Sequence, residues 1–216
     1  RIGFFMVLAT AGLVVVSLPF ARQFGGEVET MQAMALVISL YALGLVAFSV
    51  LFIVQRVFYA LEDTKTPFFL QVFQATVFIS LALGVSTLPL NQIAYGLALS
   101  TSTAGTLQTA VALFVLRRKL GGLGLMPLGI KFMTYALAAL PASALGVGIL
   151  VWFNAGANGV LTSSSFVAGL LMALITCAMS ATYALFLWLL RNAEFLEMTA
   201  GIRSRLRLGG RGNSST

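Results

Sequence analysis

The 216-residue sequence contains no histidine and a single cysteine, Cys177. A zinc or iron site of histidine and cysteine ligands cannot be assembled from such a chain, and no disulfide can close within one copy. Charge is scarce as well: 9% of the residues are Asp, Glu, Lys or Arg, against about 25% in an ordinary soluble domain. The six acidic residues all lie in loops or at interfaces, so none is placed to relay a proton through a span. No nucleophile with its base and no carboxylate pair is brought to one place. These absences exclude a typical soluble enzyme and weigh against a membrane-embedded one. No catalytic residue, metal ligand or cofactor is expected.

What is present is apolar surface. Hydrophobic residues make up 59% of the chain and the mean hydropathy is +0.99. A helix needs about 20 apolar residues to cross a bilayer core. Six runs near that length carry no Asp, Glu, Lys or Arg: residues 2–20, 34–54, 67–90, 93–116, 132–153 and 166–190. Continuous runs without strand alternation read as helices, because in lipid the backbone must bond to itself. The expected fold is an all-α, polytopic bundle of six transmembrane helices. The second run is expected to continue as helix through Gln55, Arg56 and Tyr59.

Six spans place the intervening loops on alternate sides, and twelve of the thirteen basic residues then fall on one side. That side takes Arg56 and Lys65, the cluster Arg117, Arg118, Lys119 and Lys131, and the arginines at both ends; the other takes Arg22 alone. By the positive-inside rule both ends are expected to be cytoplasmic. The net charge of +7 is thus a topology signal and no nucleic-acid partner is implied. The chain opens on Arg1 without a signal-peptide region, and reads as a piece of a longer protein. After Leu190 the mixed basic and apolar tail is expected to fix topology or to meet anionic lipid or a partner, with a Gly/Ser/Asn linker from Gly209.

Four places invite a role. In the fourth span Ser102, Gly105, Thr106 and Thr109 share a narrow face, which either packs against another helix or lines a polar cavity; Ser102, Thr106 and Thr109 are therefore candidate substrate-binding residues. Gln71 and Gln74 share a face of the third span and suit an interfacial or interhelical hydrogen bond. Arg56 at the end of the second span either anchors the interface, pairs with Glu62 or Asp63, or meets a lipid phosphate as a substrate-binding residue. Pro141, mid-way along the fifth span, removes a backbone bond and is a candidate kink.

Two linked motifs point to a family. They are Tyr41-Ala-Leu-Gly-Leu-Val-Ala-Phe48 and Arg56-Val-Phe-Tyr-Ala-Leu-Glu-Asp-Thr-Lys-Thr-Pro67, supported by Leu18-Pro-Phe-Ala-Arg-Gln-Phe-Gly25, Tyr95-Gly-Leu-Ala-Leu-Ser-Thr101 and Leu116-Arg-Arg-Lys-Leu-Gly121. Over residues 4–121 the chain resembles the MurJ/MviN lipid II flippases of the multidrug/oligosaccharidyl-lipid/polysaccharide exporter superfamily. In the turn Tyr59, Asp63, Thr64, Thr66 and Pro67 form a structural motif: Asp63 or Thr64 can bond exposed N–H groups and Pro67 suits a first helical turn. Glu62 stands where the family usually has Gly, the usual early proline of the first span is missing, and the third span lacks a central Asn.

The resemblance implies a fourteen-helix, two-lobed transporter of which this chain is the C-terminal half, helices nine to fourteen. Residues 1–120 would be four helices of the second lobe, 121–190 two additional helices lining a groove for the lipid tail, and 191–216 a basic tail. The implied activity is flipping of undecaprenyl-linked peptidoglycan precursor across the bacterial inner membrane by alternating access. The implied partners are lipid II, membrane lipids, the missing N-terminal lobe and, through the tail, cell-wall or division proteins. The rival expectations are an exporter of drugs or other polyprenyl-linked saccharides and a non-transporting scaffold, because a fold does not fix its substrate.

Overall fold

The computed structural model describes residues 2–122, 125–154, 159–160 and 162–190. Among these residues every regular element is helical: α1 Ile2–Arg22, α2 Val28–Leu43, α3 Leu45–Ala60, α4 Lys65–Val85, α5 Leu90–Lys119, α6 Leu125–Asn154 and α7 Ser165–Leu189. Six helical segments are long and apolar enough to cross a membrane, with α2 and α3 forming one of them, Val28–Ala60. The all-α, six-span expectation is met. The sequence-predicted tail from residue 191 onward lies outside the described residues.

Three boundaries lie five or more residues from those expected, among them the start of the fifth span, at Leu125 rather than residue 132. The second span begins at Val28 rather than residue 34 and is broken at Gly44. The third ends at Val85 rather than residue 90. Pro89 explains the earlier stop: it has no N–H to continue a helix and it pushes Leu88 out of helical geometry, so the apolar stretch Leu88-Pro89-Leu90 becomes a turn and the start of α5. The hydroxyls of Ser86 and Thr87 donate to the Leu83 and Gly84 carbonyls and so satisfy the frayed end of α4.

Three packed clusters hold the bundle together. Val15 and Val16 of α1 meet Tyr135, Ala138 and Ala142 of α6 and Ile175, Met179 and Tyr183 of α7. Leu51, Val54 and Phe58 of α3 meet Leu70 of α4 and Ala112 and Leu116 of α5. Ala21 joins Met31 and Ala35 where α1 turns into α2. Small residues at the contacts let backbones approach, which drives helix association where lipid removes the hydrophobic advantage of burial. Gly146 of α6 is one such point: an added Cβ would lie 2.7 Å from the Met179 sulfur and 3.0 Å from Val15.

Among the described residues α6 and α7 touch each other and α1, and no other helix. α1 is therefore the one element bridging them to α2–α5. Its ends are pinned by polar bonds. The Tyr183 hydroxyl donates to the Phe4 carbonyl at 3.1 Å. At the far end Arg22 Nε donates to the Ser163 carbonyl and Gln23 Nε2 to the Ser165 carbonyl, both at 2.9 Å. The lone basic residue that departs from the charge asymmetry is thus employed in tying α1 to the start of α7. Pro141 lies inside α6, which runs unbroken from Leu125 to Asn154.

Candidate functional site

The break at Gly44 organises the polar face of α5. Gly44 N–H bonds three residues back, to Tyr41, rather than four back to Leu40. The Leu40 carbonyl so released accepts the Ser102 hydroxyl at 2.7 Å. A span can afford an interruption only where a neighbour satisfies the freed backbone, and a Ser or Thr side chain is a common means. About two turns further, the Thr109 hydroxyl is shared between its own helix's Gly105 carbonyl at 2.8 Å and the Ala47 carbonyl of α3 at 3.0 Å.

Glycines make this approach possible. A Cβ on Gly44 would lie 3.0 Å from Ser102 Oγ and 3.1 Å from its Cα, and one on Gly105 would lie 2.4 Å from the Phe48 ring. Phe48 therefore fills the space that Gly105 leaves open. Ser102, Gly105 and Thr109 are buried in the α2/α3–α5 seam, whereas Thr106 is exposed and donates back to the Ser102 carbonyl at 2.7 Å. Ser102 and Thr106 line a shallow hollow of about 280 Å³ with Leu43, Leu99, Thr103 and Leu107.

Arg56 does not join them. It lies twelve residues past Gly44 in sequence, about 18 Å along the helix at 1.5 Å per residue. It is exposed at the end of α3 that carries the turn. The structure thus brings Ser102 and Thr106 to one hollow, turns Thr109 into the seam and leaves Arg56 exposed near the turn end of α3.

A second polar contact holds α4 to α5. Gln108 is buried, and its Nε2 donates to the Leu70 carbonyl at 3.1 Å and to Gln71 Oε1 at 3.2 Å. Gln71 in turn donates to Gln74 Oε1 at 2.8 Å. Gln71 and Gln74 are thereby part of an interhelical chain of amides.

The turn after α3 is a closed structural unit. Asp63 N–H bonds to the Phe58 carbonyl and Glu62 N–H to the Tyr59 carbonyl, each at 3.0 Å. This paired pattern ends a helix through one left-handed residue, here Glu62 with φ 56°. The capping side chain is Asp63 rather than Thr64: its Oδ1 accepts Thr66 N–H at 3.0 Å, and Pro67 is buried in the first turn of α4. Tyr59 stays exposed. The other carboxylate oxygen of Asp63 pairs with Lys119, the last residue of α5, so the ion pair considered for Arg56 and Asp63 goes to Lys119 instead.

A left-handed conformation costs a side-chain-bearing residue about 1 kcal/mol relative to glycine. The Glu62 side chain is exposed, so Glu62→Gly should stabilise the protein by roughly 0.5–1 kcal/mol. The unfolding midpoint of the purified variant checks this; a fall in midpoint would show the turn to be built otherwise.

The Lys119 ammonium, then the Thr66 hydroxyl and Thr66 N–H, hold the Asp63 carboxyl well below its ordinary value. Lowering of a carboxylate pKa on folding stabilises the fold fully above the ordinary value, near 4, and the contribution drains away as pH falls below it. Asp63→Asn should therefore flatten the acid limb of a stability-against-pH profile below about pH 4. An unchanged acid limb would mean that the pair is not formed.

Sequence inspection missed the Gly44 break, the anchoring roles of Gln108 and Lys119, and the Arg22 tie. The break had one visible signal, a glycine inside an apolar stretch that with its flanks spans 33 residues.

A bundle of six apolar, membrane-spanning-type helices, tied together by small-residue contacts and hydroxyl-to-backbone bonds, defines a multi-pass membrane protein. Residues 2–172 match the model of the family described as lipid II flippase MurJ, and the chain belongs to that family. Its members are transporters of lipid II in peptidoglycan biosynthesis. No curated protein matches the chain.

Proposed function

We propose that this chain acts as the second half of a two-lobed flippase that moves undecaprenyl-linked lipid II from the inner to the outer leaflet of the bacterial inner membrane by alternating access. The family match over residues 2–172 is the observation that carries this reading. The charge asymmetry supports an orientation with both ends cytoplasmic. Among the described residues α6 and α7 attach to the rest of the bundle through α1, which supports their assignment as the two additional helices, 121–190, beside a lobe portion formed by 1–120.

No covalent bond is made or broken in such a process. Alternating access moves one repeat against another around a fixed site. The break between α2 and α3 gives one span a place to bend, with Ser102 and Thr109 holding both sides of it. The hollow beside Ser102 and Thr106 is shallow and uncharged. Recognition of a pyrophosphate headgroup is accordingly assigned to the N-terminal lobe, and a role for Arg56 is confined to the interface.

The test is complementation of cells depleted of their own lipid II flippase by the full-length protein. Rescue of growth with falling lipid II accumulation is the expected outcome. Continued accumulation despite correct insertion would transfer the reading to an exporter of another cargo.

A further inference from the structure

α5 ends on three consecutive basic residues that the fold sends to different tasks. Lys119 pairs with Asp63 and lies over the Phe58 ring, 5.9 Å from its centroid. Arg118 folds back along its own helix, its guanidinium carbon 4.6 Å from the Phe114 centroid. Arg117 and Arg118 are exposed, and neither has a carboxylate partner among the described residues. The neighbouring acid that could have neutralised them, Asp63, is taken by Lys119.

The Arg117 and Arg118 guanidiniums border an open hollow of about 410 Å³ whose other walls are Phe114, Gly121 and Gly122. Gly121 and Gly122 have φ of 69° and 154°, and nothing lies within 4 Å of where a Cβ would stand on either. The hollow is therefore walled on that side by bare main chain. Phe114 is 55% exposed and lies on the span side of the arginines, so the hollow is cationic toward the loop and apolar toward the bilayer.

Paired guanidiniums offer planar donor forks that match phosphate oxygens. A free phosphate would use only the arginines. An amphiphile with a phosphate above an acyl chain would use the arginines and Phe114 together. We propose that this hollow binds the headgroup of an anionic membrane phospholipid, with Arg117 and Arg118 on the phosphate and the upper acyl chain against Phe114. The site is separate from the Ser102/Thr106 hollow and does not depend on the cargo carried.

An arginine beside an anionic lipid surface changes binding by about fivefold, so losing both should weaken it by at least about tenfold. The experiment is native mass spectrometry of the full-length protein in detergent, titrated with phosphatidylglycerol. Wild-type protein is expected to retain one tightly held phosphatidylglycerol, and the Arg117→Gln/Arg118→Gln variant to bind it at least about tenfold more weakly. The control Lys65→Gln, which removes one positive charge elsewhere on the same side of the bundle, should bind as wild type does. Phe114→Ser, at an exposed position, should weaken binding severalfold and serves if the arginine pair proves necessary for insertion. Wild-type affinity in the Phe114→Ser or double-arginine variant would overturn the proposal. So would equal retention of phosphatidylcholine, or displacement of phosphatidylglycerol by excess inorganic phosphate, which would mark a site for the free anion.

Discussion

Gly105→Val is expected to destabilise the protein by about 2–3 kcal/mol, the upper part of the range for overpacking a close contact. The first added carbon alone would lie 2.4 Å from the Phe48 ring, and the ring is held between α3 and α5. Relief requires the half-buried Phe48 ring to turn out of the seam or α5 to move away from the α2–α3 break, and the second movement stretches the Ser102 and Thr109 bonds to the Leu40 and Ala47 carbonyls. Ser102→Ala is the informative companion. It removes one interhelical hydrogen bond, which in membrane proteins averages about 0.6 kcal/mol. Packing should therefore outweigh hydrogen bonding at this seam by a factor of about three or more. Unfolding of both purified variants in mixed micelles measures the ratio. Equal losses, or a neutral Gly105→Val, would mean that α5 does not approach α3 as closely as described.

Phe58→Ala carries the second large effect. Phe58 is fully buried among α3, α4 and α5, and its ring lies beneath Lys119. In a soluble core the substitution costs about 3–5 kcal/mol, of which part is transfer out of water. Within a bilayer that part shrinks, because a separated helix would expose the ring to lipid rather than water. The cavity remains: on the order of 100 Å³ at about 24 cal/mol per Å³ gives roughly 2.4 kcal/mol. A loss of about 2–3 kcal/mol is expected. The neighbouring Phe52 is 66% exposed, and Phe52→Ala should cost under about 0.5 kcal/mol. Comparable losses at the two positions would contradict the inward placement of Phe58.

The residues that proved legible in the sequence are those whose partners are near in the chain or are the membrane itself. The six spans follow from apolar length alone, since a backbone in lipid has few alternatives to helix. The turn at Asp63 and Pro67 could be read because an N-cap and a first-turn proline act within four residues. Left-handed backbone at Glu62 gives a physical reason for the glycine expected there. The stop of α4 before Pro89 was written in the sequence too, but the apolar residues on both sides of the proline masked it.

What escaped sequence reading depends on distant partners. Ser102 serves a carbonyl 62 residues away, and Lys119 a carboxylate 56 residues away. Nothing in the periodicity of α5 distinguishes a hydroxyl that caps a broken neighbour from one that lines a cavity. Of the four residues expected on one narrow face, Ser102, Gly105 and Thr109 are buried in the seam, while Thr106 is exposed. Arg22 likewise became intelligible only when the carbonyl of Ser163 was found beside it.

The most direct test of the flippase reading is outer-leaflet lipid II in cells whose sole flippase is the full-length protein, assayed with an impermeant probe of the pyrophosphate-linked headgroup. The reading predicts labelling that appears on expression and falls sharply with Gly105→Val at matched protein level. Absence of labelling from a correctly inserted wild-type protein, with lipid II still accumulating inside, would contradict it.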